Sequence, residues 1–133
     1  ATVYELRGVV ADEGVLPVLV ALVEDGGDEC RCHAAGALRN IAMSPELRRP
    51  IAREGAVPPL IALLKTGTDE GQRVAAGALR NLAKSVDLAN LIVEAGAVEP
   101  LVAVVSSTKA GREPAAAALC HLASSRDLDD HLA

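Results

Sequence analysis

His33-Ala-Ala-Gly-Ala-Leu-Arg-Asn-Ile-Ala42 returns 41 residues later as Val74-Ala-Ala-Gly-Ala-Leu-Arg-Asn-Leu-Ala83, with eight of ten positions identical. A looser third copy, Pro114-Ala-Ala-Ala-Ala-Leu-Cys-His-Leu-Ala123, follows after 40 residues, which implies one deletion in the turn around 107–111. The same phase holds upstream, where Glu13-Gly14-Val15-Leu16-Pro17 aligns with Glu54-Gly55-Ala56-Val57-Pro58 and with Ala95-Gly96-Ala97-Val98-Glu99. Two blocks of matches in one register across most of the chain make internal repetition its organising fact. The repeats fall at about 4–44, 45–85 and 86–125, with a partial fourth at 126–133, all within a single domain over 1–133.

Each copy divides into three helical pieces. A short amphipathic stretch (Glu46 to Arg53, Leu88 to Glu94) ends at the regularly spaced glycine, where a tight reversal needs positive φ. A second helix opens with proline in its first turn (Pro17, Pro58, Pro59, Pro100), where the missing N–H costs nothing. After a polar turn comes the longest helix, running to about Ala42, Ala83 and Ala123. Thr68 is placed to cap it, with Asp69 and Glu70 complementing the helix dipole, and the third copy's long helix begins near Arg112. Ser44-Pro45 marks the start of a short helix in which Pro50 is expected to cause a kink or an early end. No single copy can cover both faces of its helices, so the fold class expected is an all-α solenoid stabilised by stacking.

Composition narrows the functions. The aromatic fraction is 1%, with Tyr4 alone, so the interior is built from Ala, Leu, Val and Ile. The net charge of −5 supplies no pull toward phosphate backbones, and single-strand readers need aromatic platforms that are missing here, so nucleic acid is not expected as a partner. No apolar run approaches the roughly 18–20 residues that span a bilayer, so membrane insertion is not expected. Three cysteines, an odd number, suit a reducing compartment, cytoplasmic or nuclear.

The stretches Gly55-Ala-Val-Pro-Pro-Leu60 and Ala78-Leu-Arg-Asn-Leu-Ala83, together with the period, closely resemble the armadillo-repeat family over essentially the whole chain. That resemblance implies a right-handed α-solenoid of armadillo repeats, three helices each, whose third helices line a concave groove. It also implies an interaction module with a protein or extended peptide as partner. In the family an Asn near the end of each third helix hydrogen-bonds the main chain of a bound segment. The matching positions are Asn40 and Asn81, with His121 in the third copy. An amide offers donor and acceptor together, so it can satisfy a peptide N–H and C=O without reading the side chain.

One turn before the Asn, where importin-type grooves present Trp, stand Gly36, Gly77 and Ala117, so the shelf used to stack basic peptides is absent. Arg39 and Arg80, adjacent to the Asn positions, are candidates for contact with an acidic ligand. Cys32, Arg73 and Glu113 upstream, and Met43, Lys84 and Ser124 downstream, complete the candidate lining.

Other chemistry finds no constellation. Cys30 and Cys32 point about 200° apart on a helix and cannot readily share an ion, and zinc usually wants four ligands, so no metal or other cofactor is expected. Ser44, Ser85 and Ser125 recur at helix ends, where capping explains them, and none has an identifiable base, so an enzyme is not expected. The alternative function is structural. Leu6, Val9 and Val10 at one end, and Leu128 and Leu132 at the other, belong to bare terminal segments suited to a longer solenoid or to a homo-oligomer joined end to end.

Overall fold

The structure, a computed structural model, describes residues 14–107 and 110–132, with side chains as far as Ser124. Eight helices make up the described residues, and no strand occurs among them. They are α1 (Val15–Asp25), α2 (Asp28–Ile41), α3 (Pro45–Arg53), α4 (Val57–Thr66), α5 (Asp69–Leu82), α6 (Val86–Glu94), α7 (Val98–Ser106) and α8 (Arg112–Leu132). The expected apolar positions Leu6, Val9 and Val10, and the side chains of Leu128 and Leu132, lie outside the described residues.

The punctuation follows the repeat. Gly14, Gly55 and Gly96 adopt φ of 73°, 80° and 92°, the left-handed region in which a Cβ is strained, and each sets the corner before a second helix. Thr68 caps α5 as expected, its Oγ1 accepting from the Gly71 N–H at 3.1 Å. Long side chains one turn into each third helix reach back to the end of the preceding helix. Arg31 Nε donates to the Val23 carbonyl at 3.1 Å, and Gln72, the same repeat position, donates to Leu64 at 3.1 Å. In the third copy the end of α7 is closed locally, Ser107 Oγ donating to the Val104 carbonyl at 2.8 Å.

Stacking produces two ladders. α2, α5 and α8 pack side by side, α1, α4 and α7 do the same less intimately, and α6 leans on α8. Ala34, Ala35, Ala75, Ala76, Ala78, Ala115 and Ala118 are all buried in the third helices, and these small side chains let the helices approach closely. A single hydrophobic core runs from Leu16 to Leu122, with Leu38, Leu60, Leu63, Leu79, Leu82 and Leu101 at its centre.

Two expectations are corrected. Pro50 does not end α3, which continues to Arg53. Proline removes only one hydrogen bond here, and buried Ile51 holds the last turn against the core. The third copy's long helix does not stop at Ala123 but runs as one helix to Leu132, so no separate helix starts at 126. In copy two the chain breaks after Leu82 because Leu88, Ala89 and Ile92 bury themselves in a separate α6 packed on α8.

Arg48 was not singled out in the sequence. It is 9% exposed, and its guanidinium donates to the carbonyls of Ala42 (Nε, 2.8 Å) and Met43 (3.5 Å), closing the C-terminal end of α2. Burial pulls its pKa below the ordinary arginine value, with Glu46 acting the other way.

Candidate functional site

The face formed by α2, α5 and the start of α8 carries two adjoining hollows. The first, about 380 Å³, lies between α2 and α5 and is lined by Cys32, Gly36, Arg39, Asn40, Glu70 and Arg73, among others. The second, about 240 Å³, lies between α5 and α8, and Arg39, Arg73, Gly77, Arg80, Glu113 and Pro114 line it. Arg39 and Arg73 border both, so the hollows form one continuous trough. The second is smaller than the roughly 300–1,000 Å³ of a small-molecule pocket and suits a side chain or two, while the first lies at the low end of that range.

Local sequence explains the shape. Gly36 and Gly77 sit mid-helix, where alanine would be the better helix former. A Cβ on Gly77 would stand 2.7 Å from Arg39 Cδ, so the stem of Arg39 lies directly over the bare backbone of α5. Where an aromatic shelf stands in importin-type grooves, this chain therefore lays an arginine from the preceding repeat. Gly36 is less crowded, with Val74 Cγ1 at 3.9 Å from the equivalent point.

The charges are partly paired. Arg73 forms a two-pronged ion pair with Glu70 one turn earlier, a spacing that brings side chains together on a helix. The hydrogen bonds to Arg73 hold the Glu70 carboxyl below its usual range, Arg39 and His33 adding to the effect, while Arg73 is raised in return. Arg39 Nε makes a long contact of 3.4 Å to Asn40 Oδ1. Arg80 differs, because its Nε is buried and meets no acceptor.

The structure brings together Gly36, Arg39, Asn40, Arg73, Gly77 and Arg80 among the expected residues. Lys84, exposed in the turn after α5, and His121, half-buried on α8, line neither hollow. Asn40 is exposed beside the first hollow. Asn81 corrects the expectation of an open rung: it is 1% exposed, and its Nδ2 donates to the Arg39 carbonyl at 2.8 Å. That carbonyl belongs to the last turn of α2, whose acceptors need partners from outside the helix. The Asn81 Oδ1 has no hydrogen-bond donor. Glu70 and Pro114 were missed as lining residues, although the three-residue spacing of Glu70 from Arg73 was a readable signal.

The family model described as "Armadillo/beta-catenin-like repeat" matches residues 4–43 and 44–84. Among solved structures, an engineered protein superposes with a TM-score of 0.86 at 36% identity, covering 93% of this chain and 51% of its own. A designed armadillo repeat protein in complex with the peptide (KR)4 gives 0.82 at 28% identity, over 88% of this chain and 50% of that one. Computationally designed armadillo repeat proteins for modular peptide recognition give 0.83 at 29% identity, again over 88% and 50%. The chain thus spans about half the length of these structures. No curated protein matches it in sequence.

Proposed function

The chain belongs to the armadillo-repeat family, a right-handed solenoid, and from that premise we propose that it is a binding module that holds an extended peptide segment of a partner along α2, α5 and α8. The observation that carries this reading is the trough itself, two adjoining hollows sharing Arg39 and Arg73 on the stacked third helices. Designed members of the same fold are made for peptide recognition, which agrees with it. A scaffold of this kind offers a surface for recognition, with no need for catalytic groups.

Asn40 is exposed beside the first hollow, where its amide presents both a donor and an acceptor toward a peptide main chain. Three free thiols, Cys30, Cys32 and Cys120, suit a cytoplasmic or nuclear setting.

The test is a displayed library of extended peptides, followed by backbone amide mapping of the selected binders. Shifts are expected at Gly36, Asn40 and Gly77. Replacing Asn40 with alanine is expected to weaken binding by about 0.5–1.5 kcal/mol, the worth of a typical hydrogen bond, without moving the melting temperature. A footprint on α1, α4 and α7, or full affinity in Asn40→Ala, would discard the reading.

A further inference from the structure

The second hollow is rich in arginine although the protein as a whole is acidic. Three arginines, Arg39, Arg73 and Arg80, line a cavity of about 240 Å³ beside Gly77. Only Glu113 among its lining residues is acidic. Glu70, at its edge through Arg73, is committed to that arginine.

From these observations the geometry points to a selectivity pocket for a carboxylate side chain, so that the segment held in the trough is acidic, with a Glu or Asp seated in the second hollow beside Arg39 and Arg80. This rests on the groove reading and adds the chemical class of the partner to it. Four features argue for it. Arg80 is only half-buried at the wall of the hollow, and its Nε meets no acceptor inside the protein, so no internal carboxylate claims that end of its guanidinium. A planar carboxylate matches the fork of a guanidinium in two parallel hydrogen bonds.

Three arginines against Glu70 and Glu113 leave a local charge of +1, which one carboxylate neutralises and a doubly charged phosphate overshoots. Gly77 is the device that makes the room. Any side chain there meets Arg39 Cδ, so the glycine lets Arg39 lie flat and face the hollow. The overall charge of −5 does not cancel this, because fields from charges farther than a Debye length of about 8 Å are largely screened at physiological salt.

The probes are three fluorescein-labelled octapeptides of alternating serine with glutamate, lysine or glutamine. Each is titrated by anisotropy against the full chain, with the Gly36 and Gly77 amides followed by NMR. The glutamate peptide is expected to bind tightest and to shift Gly77. Arg80→Gln and Arg39→Gln are each expected to weaken it about tenfold or more, as loss of a charged hydrogen bond does. Arg80→Lys is expected to recover part of the loss, and Arg53→Gln on exposed α3 to change nothing.

Two arginine variants guard against one that misfolds, and a thermal melt identifies it. Tighter or equal binding of the lysine or glutamine peptide at Gly77 overturns the acidic preference while the groove reading survives. Binding of the glutamate peptide that ignores both arginine variants overturns the pocket. If no peptide moves either glycine, the groove reading falls with it.

Discussion

Replacing Leu79 with alanine is expected to lower the unfolding free energy by about 2–5 kcal/mol, the range for a large side chain removed from a well-packed core. Leu79 is fully buried in α5, the one helix that packs against α2, α4, α6 and α8. Domains of this size hold roughly 5–15 kcal/mol in total, so the loss is a large share of what is available. Stacked repeats also lend each other stability only through nearest neighbours. Damage in the middle copy therefore weakens both junctions at once, and the urea transition is expected to broaden as well as shift. Leu22→Ala, on the partly open surface of α1, is the comparison and should cost under about 1 kcal/mol. A Leu79→Ala loss no larger than that of Leu22→Ala would show that α5 is not the keystone described.

Asn81→Asp is expected to cost about 3–5 kcal/mol at neutral pH, the usual consequence of an unpaired buried charge. The change is nearly isosteric, yet it replaces the Nδ2 donor with an oxygen facing the Arg39 carbonyl, 2.8 Å from the present nitrogen. A buried carboxylate in that position favours its neutral form, so its folded pKa rises above the unfolded one. The folded state then binds the proton more tightly, and stability falls as pH rises between the two values. Acidification toward pH 4 is accordingly expected to restore part of the loss, since a protonated acid can donate to Arg39 again. Asn40→Asp, at an exposed site, should stay within about 0.5 kcal/mol. Thermal melts of both variants at pH 4 and pH 7 decide the matter, and equal behaviour of the two would refute the assignment of Asn81 as an inter-repeat bond.

What could be read from the residues was whatever repeats. Gly14, Gly55 and Gly96 announced their backbone conformation by recurring at one interval, and Thr68 announced a helix start by its chemistry and the acids after it. Period and composition decide which face of a helix is apolar, and that was enough for the all-α stack. They do not decide how far a long side chain reaches. Arg48 lies on a short amphipathic helix with nothing in its spacing to mark it, yet it folds back over the end of α2. Asn81 and Asn40 are equivalent by register, but Asn81 turns across the junction to meet the Arg39 carbonyl while Asn40 is exposed. The same limit concealed Arg39 lying on Gly77, because a glycine shows only that space is needed and not what fills it. The length of α8 escaped for a related reason: a break in a helix depends on the neighbour that captures the next segment.

The two junctions between repeats are fastened differently. Asn81 and Arg48 reach the last carbonyls of α2, while the corresponding positions in the next copy hold His121 and Ala89, which make no such bonds among the described residues. The second seam is held instead between first helices, where Arg49 of α3 pairs with Asp87 of α6 at 2.8 Å. The trough crosses both seams, so a guest chain lying along it would touch the repeats on either side of α5 and tie all three copies together.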